Sequence, residues 1–346
     1  MPATNTRVVL QTRPTGIPSP NDFRIERAPM PEPADGEVLL RNVYLSLDPY
    51  IRGRIGDGLL GRSRAKVPLG GVVEGGTVGE VVESRHPDFR TGEMVLSAIG
   101  WQKFGVQGGG ALRRLDPDVA PLSTYLGVLG MPGFTAYVGL NVIARPRAGE
   151  TVVVAAATGP VGSMVGQLAG LAGARAVGVA GGSAKTTWLT EAGFDAAVDH
   201  RRRDFAAELA RAAPDGIDVY FENVGGRVFD GVLPLLNSHA RVPVCGLAAH
   251  YNGVSAETGP APSPDVMAAA LSKFLLIQGF AYLDYVDSHE KEFHRLTSDW
   301  FGTGRLRYLE DVEVGLENAP QAFIRLVTGR NFGKSLVLVS PDPTRS

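Results

Sequence analysis

The chain has 346 residues, enough for roughly two domains and for cores that need no staples. Hydrophobic residues make up 44%, charged residues 20%, and the net charge is −2; this excludes a disordered chain and gives no basic excess for nucleic acid. The single cysteine excludes an intrachain disulfide and any multi-cysteine metal site, and fits a reducing, cytoplasmic setting. Glycine is abundant, 44 residues, or about 13% against a usual ~7%. The opening MPATNTRVVLQTRP has no apolar stretch, so no secretory signal is expected.

Residues 1 to about 122 read as β-rich. Glu37–Leu47 alternates, with Leu39, Val43, Leu45 and Leu47 on one face. VVEGGTVGEVVES, EMVLSAIG and ALRRL follow between glycines and prolines, a pattern of short strands that fits a small barrel or sandwich. The glycine-rich segment Arg52–Gly71, with Arg52, Arg54, Arg62, Arg64 and Lys66, reads as a surface loop with solvated charges.

From about 123 to 299 strand-like runs alternate with helix-length segments. They are TVVVAAA and a helix, ARAVGVA and a helix from Ser183, AAVD and a helix near Arg203–Arg211, IDVYFENV and a helix near Phe229–Leu236, then HARVPVCGL. Such alternation predicts a parallel sheet with right-handed crossovers. Gly259–Pro264 reads as an irregular loop, KFLLIQGF as a strand, Asp284–Gly304 as a long helix, and the tail as strand, helix, strand. Thr151–Ala174 carries no charge and has the length of a membrane span. Its period changes midway, however, from a valine-rich strand to a helical face of Val161, Val165, Leu168 and Ala172, so a membrane partner is not expected.

The clearest chemical motif is strand, Ala157-Thr158-Gly159-Pro160-Val161-Gly162, helix. Glycines there admit a pyrophosphate to the helix N-terminus, or serve only close helix–strand packing. The next strand ends in Ala180-Gly181-Gly182-Ser183-Ala184-Lys185. It lacks the acid that holds an NAD ribose, and its hydroxyl and lysine suit the 2′-phosphate of NADP(H). His289 and His294 stand five residues apart and diverge by about 140° around a helix, so they cannot share a zinc ion. Ser63-Arg64-Ala65-Lys66 lacks the companion motifs of an acyl-transfer site. Cys245 reads as a small buried residue.

Six ordered strings narrow the reading: Leu45–Arg52 (LSLDPYIR), Met131–Tyr137 (MPGFTAY), Val177–Gly181, Phe221–Gly226 (FENVGG), Cys245-Gly246 with Tyr251-Asn252, and Gly329–Lys334 (GRNFGK). Together the chain resembles the zinc-independent medium-chain dehydrogenase/reductases, in the NADPH-dependent alkenal/one oxidoreductase group. Zinc-dependent relatives carry G-H-E where this chain reads L-G-G-V-V-E-G-G after Pro68.

The resemblance implies an α/β fold: a Rossmann doubly wound parallel sheet (123–299) and a GroES-like β-rich catalytic domain (1–122 and 300–346). It implies hydride transfer from NADPH to the β-carbon of an α,β-unsaturated ketone or aldehyde, without metal. Tyr251 is then the catalytic donor to the enolate oxygen, assisted by a cofactor ribose hydroxyl, with Tyr50 beside it at the substrate. Gly159 and Gly162 approach the pyrophosphate, with Thr158 and Val161. Ser183, Lys185 and His200 meet the 2′-phosphate, His200 standing where the group often has tyrosine. Met131 and Thr135 flank the nicotinamide, and Asn223, Cys245, Gly246, Phe280 and Asn331 complete the cofactor set. A homodimer, with the sheet edges near HARVPVCGL and KFLLIQGF pairing across two subunits, is the group's usual assembly. A quinone oxidoreductase of the same superfamily and a non-catalytic NADPH-binding scaffold are the alternatives.

Overall fold

The computed structural model describes residues 4–56, 65–253 and 263–345. In chain order its strands and helices begin with β1 (Thr4–Leu10), β2 (Phe23–Pro29), β3 (Glu37–Ser46), α1 (Ile51–Ile55), β4 (Thr77–Ser84), β5 (Met94–Ser97), β6 (Phe104–Gly108) and β7 (Arg113–Leu115). Next come α2 (Met131–Tyr137), β8 (Thr151–Ala155), α3 (Pro160–Leu171), β9 (Arg175–Ala180), α4 (Ser183–Glu191), β10 (Ala196–Asp199) and α5 (Phe205–Ala212). The chain continues through β11 (Ile217–Phe221), α6 (Gly226–Val232), β12 (Leu236–Val244), α7 (Ser263–Lys273), β13 (Leu276–Gly279) and α8 (Val286–Gly302). It ends with β14 (Glu310–Val314), α9 (Ala319–Val327) and β15 (Lys334–Leu338). These elements form two compact units, Met1–Leu126 with Glu310–Ser346, and Gly127–Leu309.

In the first unit a seven-stranded sheet runs β14-β15-β3-β4-β5-β7, with β6 also on β3. β3 does not present one wet face, as simple alternation predicts. Val38, Leu40 and Tyr44 are buried along with Leu39, Val43 and Leu45, because separate hydrophobic clusters pack on the strand. Val38 and Leu40 join Val81 and Val95, Val43 and Tyr44 join Val78 and Leu336, and Leu45 joins Trp101 and Phe323. Irregularities in its register on β4 also break the alternation. Phe23 stacks on Trp101, and Phe323 meets both edge-on, so α9 closes this core. Each such aromatic contributes about 0.5–1.5 kcal/mol per pair beyond its buried area.

Arg52 and Arg54 correct the expected loop of solvated charges. Both lie in α1 and are buried. Arg52 donates to the Gly16 and Pro14 carbonyls, and Arg54 forms a two-pronged ion pair with Glu74. Lys66 is exposed as expected; Arg62 and Arg64 lie outside the described residues, as do Ser63 of the S-x-x-K string and residues 259–262 of the proline-rich stretch.

In the second unit six strands order β10-β9-β8-β11-β12-β13, all parallel. This is the doubly wound order in which the chain reverses direction across the sheet between β8 and β11. Val152, Val153 and Val154 are buried on both faces, as a central parallel strand requires. The uncharged stretch 151–174 is therefore a core strand and a helix, and no helix among the described residues is long and apolar enough to cross a membrane. Several boundaries differ from the expected ones. Ser263 and Pro264, read as loop, open α7, and Lys273, read as strand, closes it, so that β13 is only Leu276–Gly279. α3 stops at Leu171, leaving Ala172 as an exposed cap. α6 begins at Gly226, and Leu236 opens β12 instead of closing the helix. α8, which spans residue 300, belongs to the second unit.

One buried ion pair ties the returning tail of the first unit to its LSLDPY segment. Lys334 Nζ donates to Asp48 Oδ1 at 2.7 Å and to the Leu47 carbonyl at 2.9 Å. Ser46 Oγ donates to the other Asp48 oxygen at 2.5 Å. Removing one partner of such a pair strands a buried charge and costs about 3–5 kcal/mol. Lys334→Ala should lower the denaturation midpoint accordingly, and Asp48→Leu/Lys334→Met should recover most of the loss. Equal midpoints for Lys334→Ala and wild type would refute this account.

Candidate active site

The carboxyl end of β9 is where a doubly wound fold reads the adenosine ribose. Here Gly181 follows the last residue of β9, and a Cβ built there would stand 2.7 Å from Arg201 Nε and 2.9 Å from His200 Nε2. Those side chains therefore crowd the glycine. Asp199, ending β10, accepts from the amides of Gly182 and Arg201, and Arg201 N lies 2.9 Å from its Oδ1. That turn aims His200 and Arg201 back over β9. Burial, then the charge of Arg201, hold His200 below the usual histidine value, with Arg227 and Lys185 adding to it and Asp199 opposing. His200 is thus neutral near pH 7 with three cations around it. Ser183 is exposed in the first turn of α4, and Lys185 is half-buried.

The turn after β8 leads into α3 with Gly159 as the cap residue. Ala156 takes a left-handed φ of 51°. A Cβ on Gly162 would meet the Ala156 carbonyl at 2.5 Å and Ala157 Cα at 2.7 Å. Gly162 is therefore held in close helix–strand packing, where any side chain would collide with the β8 turn. At Gly159 the corresponding contact is 3.3 Å. Thr158 is buried and Val161 half-buried.

Beyond β11 and β12 two loops are paired. Cys245 N and Gly246 N donate to the Glu222 carbonyl, Ala248 N to Asn223 and Ala249 N to Val224. Asn223 Nδ2 reaches back to the Ala155 carbonyl at 2.9 Å, joining β11 to β8 at the switch point. Tyr251 lies on the same loop pair, its hydroxyl 2.7 Å from where a Gly246 Cβ would be. That hydroxyl accepts a long bond from Leu247 N, 3.4 Å, which leaves its proton to donate elsewhere. Burial, then the Cys245 thiol, push Tyr251 above the ordinary tyrosine value. Burial also pushes the Cys245 thiol up to about 12, so it is a poor nucleophile. Phe280 packs edge-on against Phe221 at 6.2 Å and closely on Gly139, so its ring serves the end of the sheet.

Met131 opens α2, and Thr135 one turn later donates its hydroxyl to the Met131 carbonyl at 2.8 Å. In the first unit, Tyr50 is 39% exposed, so it is not barrel packing. Asn331 Nδ2 donates to the Gly333 carbonyl, 2.9 Å, which spends that donor within its own turn.

Within the second unit the fold brings Lys185, His200, Asn223, Cys245, Gly246 and Tyr251 to the carboxyl ends of the strands. Arg201 joins them, although its place in the run Arg201-Arg202-Arg203 reads as solvated charge. Arg202 behaves so, pairing with Asp204 and Glu208. The one available clue to Arg201 is that it follows His200 at a strand end. A cluster of cations around an acid-free glycine strand end suits a dianionic 2′-phosphate and disfavours the bare ribose of NAD. Among the described residues no group of three or more His, Cys, Asp or Glu side chains is placed to hold a metal ion.

Residues 6–115 match a family described as the N-terminal domain of oxidoreductase, and residues 160–284 one described as zinc-binding dehydrogenase. The NADPH-dependent curcumin reductase of Escherichia coli (strain K12) is 50% identical over 339 residues, covering 98% of each chain. Prostaglandin reductase 1 of Bos taurus is 38% identical over 326 residues, covering 93% of this chain and 95% of that protein. The crystal structure of CurA in complex with NADPH from Vibrio vulnificus superposes with a TM-score of 0.92 at 46% identity, covering 98% of this chain and 100% of that one. The chain belongs to the zinc-independent medium-chain dehydrogenase/reductase family, in its NADPH-dependent alkenal/one oxidoreductase group.

Proposed function

We propose that this chain is an NADPH-dependent reductase of the activated C=C bonds of α,β-unsaturated ketones and aldehydes. The observation that carries the reading is the Tyr251 hydroxyl, kept protonated at the carboxyl end of the sheet with its lone pair already engaged by Leu247 N. NADPH, when bound, supplies the hydride that adds to the β-carbon. Negative charge then gathers on the carbonyl oxygen, where a placed donor stabilises it. Tyr251 supplies that donor; a phenol is protonated at neutral pH, and burial only raises its pKa further.

Lys185, His200, Arg201 and Ser183 hold the 2′-phosphate. Gly159, with Thr158 and Val161, faces the pyrophosphate at the α3 N-terminus. Asn223, Cys245 and Gly246 border the cofactor at the switch point, and Met131 and Thr135 lie at the nicotinamide. Tyr50 as a substrate contact and Asn331 as a cofactor contact rest on the motifs that carry them. The reaction is placed in the cytoplasm, supported by the single unpaired cysteine.

We also propose a homodimer in which β13 pairs with its counterpart. Among the described residues β13 pairs only with β12 and is the sheet's outer strand. Leu276 and Ile277 on it are exposed, as are Met267, Leu271 and Phe274 at and beside α7. An open apolar edge of this kind is a template for strand addition. Light scattering should give twice the chain mass, and Ile277→Lys should shift it toward the monomer. A monomeric wild type would refute this assembly.

The cofactor site is tested by titration. Lys185→Ala should weaken NADPH roughly 10- to 150-fold, the worth of a charge-assisted bond, and leave NADH nearly unchanged. The phosphate dianion favours the imidazolium, so binding raises the His200 pKa from its depressed free value. NADPH affinity should then fall as pH rises through the bound value, relative to His200→Gln, while NADH shows no such difference. Parallel profiles for both cofactors and both proteins would remove His200 from the site.

Tyr251→Phe should lower kcat on the best enone by about 10²-fold or somewhat less, since one donor to an oxyanion contributes about 2.7–4 kcal/mol and other donors compensate in part. KM should change less, because the bond strengthens as charge develops. A panel of enones, enals and quinones with NADPH is the direct check. Turnover of quinones alone, or wild-type kcat in Tyr251→Phe where hydride transfer limits the rate, would overturn the reading.

A further inference from the structure

Glu222 is the most buried carboxylate of the second unit's site and has no role in the chemistry above. It is 2% exposed. Its Oε1 accepts from Val224 N at 2.6 Å, Gly225 N at 2.8 Å and the Tyr220 hydroxyl at 3.1 Å. The two amides converge on one oxygen, and the chain turns sharply just after them, where Gly225 and Gly226 take positive φ values of 74° and 53°. The same segment is the one laced to residues 245–249 by the bonds from Cys245, Gly246, Ala248 and Ala249. It carries Asn223, whose amide reaches Ala155.

We propose that Glu222 is a positioning residue of the reduction: its carboxylate shapes the Asn223–Gly226 turn and, through the laced loops, sets where Asn223 and the Tyr251 hydroxyl stand. This rests on the reading of Tyr251 as the donor to the carbonyl oxygen. The side chain is costly to keep there, because burial works against its ionised form and raises its pKa while the Val224 and Gly225 amides work the other way. A carboxylate tolerated at such a cost, with a fully buried tyrosine as its third partner, is spent on holding backbone. The titratable groups around it are Tyr220 on β11, Cys245 beyond β12 and Tyr251 in the turn, with the His250 ring over Gly225. Its negative charge also helps to keep the Tyr251 proton in place.

The test is a double-mutant cycle of Glu222→Gln with Tyr251→Phe, read at pH 8 with saturating NADPH and enone. Glutamine keeps the shape and one acceptor but loses the charge. Glu222→Gln should lower kcat about tenfold, the difference between charge-assisted and neutral bonds to the two amides, with the enone KM within about twofold. In the Tyr251→Phe background the same change should cost about twofold or less, because the residue acts through Tyr251. In the cofactor-free protein, tyrosinate absorbance of Tyr251, taken as the difference from Tyr251→Phe, should appear at lower pH in Glu222→Gln.

Unchanged kcat in Glu222→Gln, or an equal loss in both backgrounds, would overturn the proposal. A wild type that reduces no enone would sink the donor reading instead, while the tyrosinate titration still decides whether Glu222 controls Tyr251. If Glu222→Gln does not fold, Tyr220→Phe removes one of the three donors at nearly constant volume. It should give a smaller loss of the same coupled kind; an unchanged kcat and unchanged tyrosinate titration there would also overturn the proposal.

Discussion

Parallel pairing is the constraint on which the second unit depends. When β8, β9, β11 and β12 all run the same way, their carboxyl ends lie along one edge of the sheet, and every loop that leaves them starts there. Residues as distant in sequence as Ala155, Gly181, Asn223 and Tyr251 are thereby brought to a common side. The loops then secure one another with main-chain bonds, of which the Glu222, Asn223 and Val224 carbonyls accept four. The geometry at this edge starts from the sheet and is refined by side chains such as Glu222 that hold the loops.

Charge is treated differently at two places in the molecule. At Asp48 and Lys334 opposite charges are buried together and close the first unit's tail onto β3 and its following segment. Around Gly181 the cations Lys185, Arg201 and Arg227 surround His200, whose pKa is lowered first by burial and then by Arg201, with Asp199 opposing. Like charges held together by a fold are stabilised by an anion that neutralises them, and a 2′-phosphate has the charge and size for it. The first arrangement is structural and complete in itself.

Much of the architecture was legible in the chain. The alternation of valine-rich runs with helix-length segments named the parallel sheet, and β8 through β12 fall on the runs that predicted them. The LSLDPYIR, MPGFTAY and FENVGG strings named the family that the relatives then showed. The misreadings share a cause. Arg52 and Arg54 look like solvent-facing charges because nothing nearby in sequence pairs with them; their partners are Gly16, Pro14 and Glu74. Arg201 is hidden in a basic run for the same reason. β3 reads as half-wet because the side chains packed on it, among them Trp101, Phe323 and Leu336, lie far away in sequence.

Sequence alone determined the periods, the glycine turn, the missing acid after β9, the single cysteine and the motifs of an NADPH-dependent enone reductase. These are local properties of backbone and composition, and neighbouring residues suffice to express them. Which charges are buried and which faces of β3 are dry was settled by folding in three dimensions. Folding also decided that Gly162 is held in close packing, that Arg201 joins His200 over Gly181, and that Glu222 lies beneath the loop that carries Asn223. Each of these depends on groups contributed by separate strands, and burial and electrostatics act through distance in space, which the order of residues does not contain.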